Sequence, residues 1–330
     1  MPVGEEVLAL PEDGDELSLG PANEPEAPAD GEVAAIANFA GDLVAEISRP
    51  LLLAGRSMAA LLAASALAYL LDVKLPPLPG GGELKLTEGL NHVGEASTRP
   101  SGLLVANSPA DDDAAADVLS PGGTVWPCAA ALCRWLARDA DLRGASVLEL
   151  GSGTGVGGLY TAGLGARKVL LTDGRAGLAE LQRANIRQNA HLLPDPARIA
   201  CAQLRWGSDA PPPGPWDWVI GSGCTVEVAD ETMVALAATC AALLRPDGAP
   251  PPRLILAHDH RPNPDARSDV EPLLEGVDGA VGDENLRLFA VAASREGLGL
   301  RQLRYERPTE EERARGRFAV SVLEVLGGKD

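Results

Sequence analysis

The residues best suited to bind a ligand are three glycines at alternate positions, Gly151, Gly153 and Gly155, directly after a short apolar run. Glycine permits positive φ and lets a ligand approach the backbone without a Cβ in the way. The run 147–150 predicts a buried parallel strand, and 156–164 predicts the helix that follows the turn. Because free N–H groups at the start of that helix would face a ligand, the stretch predicts a nucleotide-type site at the carboxyl edge of a sheet.

Two cofactor classes fit this glycine-rich turn. Gly153, Gly155 and Gly158 have the dinucleotide spacing G-x-G-x-x-G, but in that pattern the first glycine closes the strand, and here Gly151 does so. The alternative is E-x-G-x-G-x-G beginning at Glu149, which resembles motif I of the seven-strand methyltransferases that use S-adenosylmethionine. A glycine turn without any ligand is the third interpretation.

Other motifs resemble methyltransferase family 16, the group of protein lysine methyltransferases and close relatives. The family's V-W-P/D-A-A motif is similar to VWPCAA at 125–130, and its L-x-W-G-D is similar to the text around Trp206. In the family that Trp lies beside adenine, where two flat π faces can stack. Asp173 ends the predicted strand KVLLTD, where a carboxylate can accept hydrogen bonds from ribose hydroxyls. The resemblance covers about residues 122–326.

This resemblance implies a fold, a cofactor and a set of binding residues. The fold is α/β, a Rossmann-like seven-strand methyltransferase domain with an antiparallel last strand, plus an N-terminal helical extension. The cofactor is S-adenosyl-L-methionine, and the activity is that of a protein-lysine N-methyltransferase. The residues expected to bind the cofactor are Trp126, Glu149, Gly151, Ser152, Gly153, Gly155, Asp173, Trp206 and Ser222.

The segment after the predicted fourth strand departs from the family. The family text resembles D-L-I-L-G-A-D-x-x-Y, whose second Asp and Tyr line the entry for the lysine side chain; Gly223 and Val226 stand at those positions. Glu227 is therefore the candidate catalytic carboxylate, since a carboxylate can hold the amine and help it to lose its proton. The departure leaves open another acceptor, such as arginine, and a cofactor-binding scaffold without activity. An NAD-dependent oxidoreductase is a further alternative.

Apolar runs and helical periodicity place the remaining elements. We predict helices over 128–138, 178–189, 232–244 and 284–295, and strands over 168–173, 199–204, 216–220, 254–257, 300–305 and 318–325. The segment His258–Arg261 then lies in the loop after the fifth strand. Its two histidines flank an aspartate, but no third or fourth ligand accompanies them in the sequence, so we expect no metal site.

The first third of the chain has no match to the family. Residues 1–30 contain nine acidic residues and no Lys or Arg, which predicts a solvated, disordered tail. Residues 31–120 predict an N-terminal helical region with loops, and 121–330 the methyltransferase domain. Leu51–Leu71 is long enough to suggest a membrane helix, but Arg56 interrupts it and the uncharged remainder is too short, so we expect no membrane span.

The composition limits the partners. The net charge is −19 without a Lys/Arg cluster, which argues against nucleic acid as a partner. An acidic chain attracts basic protein substrates, so we expect a protein substrate. The five cysteines are odd in number and form no C-x-x-C pair, which indicates free thiols in a reducing compartment. We therefore expect a cytoplasmic protein, with the nucleus as an alternative; the oligomeric state has no signal in the sequence.

Overall fold

A computed structural model describes residues 73–86, 121–226, 230–246, 248–261, 272–314 and 317–328. The predicted acidic tail 1–30, Glu227 and most of the predicted helical region 31–120 lie outside these residues. A seven-stranded sheet organises the described chain, in the order β3-β2-β1-β4-β5-β7-β6. The strands are β1 Ser146–Leu150, β2 Lys168–Asp173, β3 Ile199–Gln203, β4 Trp218–Ser222, β5 Arg253–Asp259, β6 Leu298–Glu306 and β7 Val320–Gly327.

The strand directions confirm the predicted fold class. β1 to β5 are mutually parallel, whereas β7 is antiparallel to both of its neighbours, β5 and β6. Dinucleotide-binding sheets have the order 3-2-1-4-5-6, without a strand inserted beside the fifth. The chain therefore has the Rossmann-like seven-strand sheet of the methyltransferases.

Helices cover both faces of the sheet, as a parallel sheet requires. Helices α1 and α2 pack on one face, α4 and α5 on the other, and α3 packs against β2 and β3. The helices of the described residues are α1 Pro127–Asp139, α2 Val156–Gly163, α3 Leu178–Asn189, α4 Asp230–Leu244, α5 Glu284–Arg295 and α6 Glu310–Ala314.

Successive side chains of β1 point into different cores, because strand side chains alternate between the two faces of a sheet. Val147 belongs to the core beneath α1 and α2, while Leu148 and Leu150 belong to the core beneath α4. Glu149, between the two leucines, therefore points to the same face as Val147. This parity decides where several polar side chains of the site lie.

Two strand boundaries differ from the predicted ones and affect the site. β5 continues to Asp259 because His258 and Asp259 pair with Ser321 and Val320 of β7, so these residues belong to a strand and not to a loop. β7 begins at Val320, which leaves Phe318 exposed just before the strand.

The segment 73–86 is docked on the domain. Leu78 is buried in the core of α1 and α2, and the Tyr160 hydroxyl donates a hydrogen bond to the Pro77 carbonyl at 3.1 Å. The Asn189 amide exchanges hydrogen bonds with the backbone of Lys85. The predicted domain boundary at residue 121 stays a prediction. No helix in the described part of the chain has the length and apolar character needed to cross a membrane, and the segment 51–71 lies outside that part.

Candidate functional site

The glycine turn after β1 has the backbone conformation that its residue types predict. Gly151, Gly153 and Gly155 have φ angles of 56°, 50° and 84°, in the left-handed region that favours glycine. A Cβ added at Gly151 would lie 3.0 Å from the Cys224 sulfur and 3.1 Å from Cζ2 of Trp206. Only glycine at 151 therefore allows the Trp206 ring to lie against the turn.

Asp173 holds the turn from the neighbouring strand. It ends β2, and its Oδ2 accepts a hydrogen bond from the Gly153 N–H at 3.0 Å, while Oδ1 accepts one from the Arg175 N–H at 3.0 Å. A carboxylate has roughly four acceptor sites, so sugar hydroxyls can bind beside these two N–H groups. The structure thus brings Asp173 to the position that the sequence predicts for it.

Trp206 and Ser222 lie at the same edge of the sheet as the glycine turn and Asp173. Trp206 follows β3, and its Nε1 is buried without a hydrogen-bond partner among the described residues. Ser222 ends β4 next to Gly221, which pairs with Leu150 at the end of β1. A buried donor without a partner is rare in a native protein and suits a site that a ligand completes. A flat ring, a carboxylate and a turn free of side chains fit a nucleoside.

Glu149 lies on β1, directly before the glycine turn, and its predicted role in binding the cofactor stays a prediction. Its side chain points beneath α2, where Oε2 accepts a hydrogen bond from the Gly158 N–H at 2.9 Å. Glu149 is 1% exposed, and burial raises its pKa to about 8 although the N–H groups of Gly158 and Gly157 act against this. The carboxyl group therefore anchors the first turns of α2 and does not face the glycine turn.

Ser152 and Gly155, which are also predicted to bind the cofactor, are closely packed within the turn. The Ser152 hydroxyl is buried; it donates to the Thr172 carbonyl and accepts from the Gln182 amide. At Gly155 an added Cβ would lie 2.9 Å from the Leu171 side chain. Both residues shape the turn by packing against β2 and α3, and their predicted contacts with the cofactor stay predictions.

Trp126 lies at the start of α1, further along the same edge. Its ring centroid is 5.3 Å from the guanidinium carbon of Arg261. Its placement over the cofactor stays a prediction; the ring contact that the structure shows is with Arg261.

Among the described residues, the altered position after β4 has room for a side chain. Gly223 has a φ of 69°, and the described atom nearest to an added Cβ would be the Cys128 sulfur, at 3.5 Å. Val226 is half-buried. Glu227, the candidate catalytic carboxylate, lies outside the described residues.

A buried polar network that the sequence did not predict joins β5 to α5. Asp283, the N-cap of α5, accepts through Oδ2 from both His258 (2.7 Å) and His260 (2.8 Å). The other ring nitrogen of His258 forms a hydrogen bond with the Thr225 hydroxyl at 2.7 Å. The other ring nitrogen of His260 forms one with the Ser321 hydroxyl at 2.6 Å. Burial alone would raise the pKa of Asp283, but the hydrogen bonds from the two histidines hold it well below its usual range.

These three side chains place one carboxylate oxygen and two ring nitrogens close enough together to hold a metal ion. Asp283 is distant from the two histidines in the chain, so the spacing of the sequence does not predict it as a third ligand. The only advance signal was the sequence His258-Asp259-His260-Arg261 itself.

The comparison with known proteins agrees with the geometry. A family model described as lysine methyltransferase matches residues 113–268, which contain the glycine turn, Asp173, Trp206 and Ser222. This segment of the chain is similar to the members of that lysine methyltransferase family. The resemblance to methyltransferase family 16 is thereby confirmed.

Curated members of the family align with part of the chain. Protein N-lysine methyltransferase METTL21A of Danio rerio is 36% identical over 124 residues, which are 37% of this chain and 55% of that protein. EEF1A lysine methyltransferase 3 of Mus musculus is 35% identical over 106 residues, 32% of this chain and 44% of that protein. The chain thus spans about half the length of the relatives it matches.

Solved structures resemble the chain only loosely. The glycopeptide N-methyltransferase MtfA, complexed with S-adenosyl-L-methionine, is 13% identical with a TM-score of 0.42, and the match covers 61% of this chain and 87% of that one. A likeness of this degree carries no functional weight.

Proposed function

We propose that this chain is an S-adenosylmethionine-dependent methyltransferase that acts on a lysine side chain of a protein substrate. The observation that carries the proposal is the convergence of Gly151, Asp173 and Trp206 on one edge of the sheet, within the segment that matches the lysine methyltransferase family. The unpartnered Trp206 Nε1 and the space kept by Gly151 support a ligand there.

The role of the chain's own side chains is to bind the cofactor and to orient the acceptor nitrogen. Asp173 would accept hydrogen bonds from the ribose hydroxyls, and Trp206 would lie against the adenine ring. S-adenosylmethionine, when bound, supplies a methyl group on a positively charged sulfur. The protein has to hold the acceptor nitrogen in line with that methyl group and exclude water, which requires no covalent bond to the enzyme.

The names of the relatives support a protein lysine as the acceptor. The net charge of −19 supports a basic substrate by electrostatic attraction. We also propose a cytoplasmic location, supported by the free thiols of Cys128, Cys133, Cys201, Cys224 and Cys240.

Calorimetry on the full chain tests the cofactor. We expect S-adenosylhomocysteine to bind and NAD not to bind. A radiolabelled-methyl assay with cell lysate then tests transfer, and we expect label on a protein lysine. Binding of NAD without binding of S-adenosylhomocysteine would overturn the proposal.

One observation favours a second candidate, a cofactor-binding scaffold without activity. Gly223 and Val226 stand where the family resemblance places an Asp and a Tyr, which removes a carboxylate and an aromatic ring from the lysine entry. A chain that binds S-adenosylhomocysteine but labels no protein in lysate would support this candidate over the enzyme.

A further inference from the structure

A buried carboxylate lies at the end of β5, on the side of α1. Ile255 and Ala257 pack in the core of α1, and the alternation of the strand directs Asp259 to the same side. Asp259 is 3% exposed and lies close to Cys128, at the start of α1, whose thiol and backbone N–H act to lower its pKa. Its Oδ1 has no hydrogen-bond partner in the described part of the chain.

A cation held between two aromatic rings lies beside this carboxylate. The guanidinium carbon of Arg261 is 5.3 Å from the ring centroid of Trp126 and 5.3 Å from that of Phe318. Burial raises the pKa of Asp259, and the positive charge of Arg261 is the largest effect opposing this rise. Aromatic residues form only 3% of the sequence, so two of them around one cation is an unusual concentration.

These groups lie where the family resemblance expects the acceptor side chain. A Cβ at Gly223 would be 3.5 Å from the Cys128 sulfur, and Cys128 lies close enough to Asp259 to act on its pKa. β5 is the direct neighbour of β4, and adjacent strands are about 4.8 Å apart. The carboxylate missing from position 223 and the ring missing from position 226 thus have counterparts at the same edge, provided by β5, by the start of α1 and by the residue before β7.

We propose that Asp259, Trp126 and Phe318 form the pocket for the cationic side chain of the acceptor, and that Arg261 occupies this pocket until an acceptor displaces it. The proposal rests on the proposed function. Cationic side chains are attracted to aromatic faces, and a buried carboxylate adds a charge of the opposite sign. Phe318 is 42% exposed, so the pocket opens to solvent on its side. Arg261 then acts as an internal competitor that sets the affinity for substrate.

Nuclear magnetic resonance of the full chain tests the pocket. The probes are n-butylammonium, which resembles a lysine side chain, and methylguanidinium, which resembles arginine; the readout is the indole N–H signal of Trp126, assigned with Trp126→Phe. We expect Arg261→Gln to bind at least one probe about tenfold more tightly than the parent chain, because the internal cation is gone. The probe that binds more tightly identifies the acceptor class.

Two further variants in the Arg261→Gln background locate the binding groups. Phe318→Leu and Asp259→Asn should each weaken probe binding, by about tenfold. Phe318 is exposed, so its variant keeps the test decisive if Asp259→Asn fails to fold. The matched control is Arg307→Gln, which removes a guanidinium lying 5.6 Å from the ring centroid of Tyr305 and should leave the Trp126 signal and probe affinity unchanged.

The outcomes separate this proposal from the proposed function. If Arg261→Gln does not gain probe affinity, or if the probes shift another indole and not Trp126, the pocket proposal is wrong. Calorimetry with S-adenosylhomocysteine on the same variants should give unchanged affinity. If the parent chain does not bind S-adenosylhomocysteine, the cofactor proposal is wrong. If Arg261→Gln binds S-adenosylhomocysteine but neither probe, the pocket proposal alone is wrong.

Discussion

The carboxyl group of Glu149 accepts a hydrogen bond from the Gly158 N–H at a distance of 2.9 Å, and the Glu149 side chain is only 1% exposed. An acidic side chain of β1 thus accepts a hydrogen bond from the first turns of α2. The glycine-rich turn before α2 presents glycine backbone on its other side. This arrangement has a cost that depends on pH.

The first prediction concerns Glu149→Gln. Burial raises the pKa of Glu149 to about 8, whereas an unfolded Glu titrates near 4.3. Between these pH values the folded protein keeps a proton that the unfolded chain releases, so the free energy of unfolding falls as pH rises from about 5 to 8. Gln keeps an acceptor for Gly158 and does not titrate. We expect the parent to lose on the order of a few kcal/mol more than the variant over this interval; parallel curves of Tm against pH would contradict this.

The second prediction compares Gly151→Ala with Gly144→Ala. Both positions have positive φ, 56° and 73°, so each substitution should destabilise the protein by about 1–2 kcal/mol. A Cβ at 151 also meets Trp206 and Cys224, whereas a Cβ at 144 has nothing within 4 Å. We expect only Gly151→Ala to lose affinity for S-adenosylhomocysteine in calorimetry, by at least about tenfold. Equal losses in both variants would mean that backbone strain alone is responsible.

The third prediction concerns Asp173→Ala. The substitution removes a charged acceptor for ribose hydroxyls and also releases the Gly153 N–H. Each hydrogen bond to a charged group contributes about 1.5–3 kcal/mol, so the Kd for S-adenosylhomocysteine should rise roughly ten- to a hundredfold. Asp195→Ala, which removes an exposed carboxylate paired with Arg198, is the control and should leave this Kd unchanged.

The fourth prediction concerns Asp283→Asn. The carboxylate accepts from His258, His260 and the Leu286 N–H, and an amide would turn an N–H donor toward one of these groups. We expect a loss of about 3–5 kcal/mol in the free energy of unfolding by urea at neutral pH. Because the pKa of Asp283 is lowered by folding, its contribution in the parent is present at neutral pH and is lost as the solution becomes strongly acidic. The neighbouring Glu284→Gln, which breaks only a surface ion pair with Arg287, should cost less than about 1 kcal/mol.

The fifth prediction concerns Gly223→Asp, with Gly223→Asn as its uncharged match. Asp and Asn tolerate the positive φ of this position better than other side chains, and within the described chain only the Cys128 sulfur lies near the added Cβ. If a carboxylate is what the altered segment lacks, Gly223→Asp should increase methyl transfer in the lysate assay and Gly223→Asn should not. The same activity in both variants would show that charge at position 223 is irrelevant.

The fold and the position of the candidate cofactor residues at one edge of the sheet were predictable, because short motifs and apolar runs in the sequence mark them. Gly151, Asp173 and Trp206 each follow a buried strand, and parallel strands bring their carboxyl ends to one edge. The direction of Glu149 was also predictable: in V-L-E-L it shares the parity of Val147 and must point to the α2 side. The prediction that Glu149 binds the cofactor comes from the motif and stays a prediction.

The polar groups of β5 were beyond sequence reasoning for a different reason. Asp283 meets His258 only because α5 begins directly over the end of β5, and Phe318 meets Arg261 only because β7 inserts beside β5. Such contacts depend on the packing of elements distant in the chain, and no spacing pattern encodes them. The extension of β5 past Ala257 likewise depends on its pairing with β7.

Consecutive residues of β5 serve opposite sides of the sheet. His258 lies in the network with Asp283, and Asp259 lies against Cys128 on the other side. A slip of β5 by one residue would bury each of them among the other's neighbours, without its own hydrogen-bond partners. The end of this strand therefore tolerates only one pairing with β7, and a single-residue insertion or deletion there should be far more damaging than one at the opposite end of the same strand.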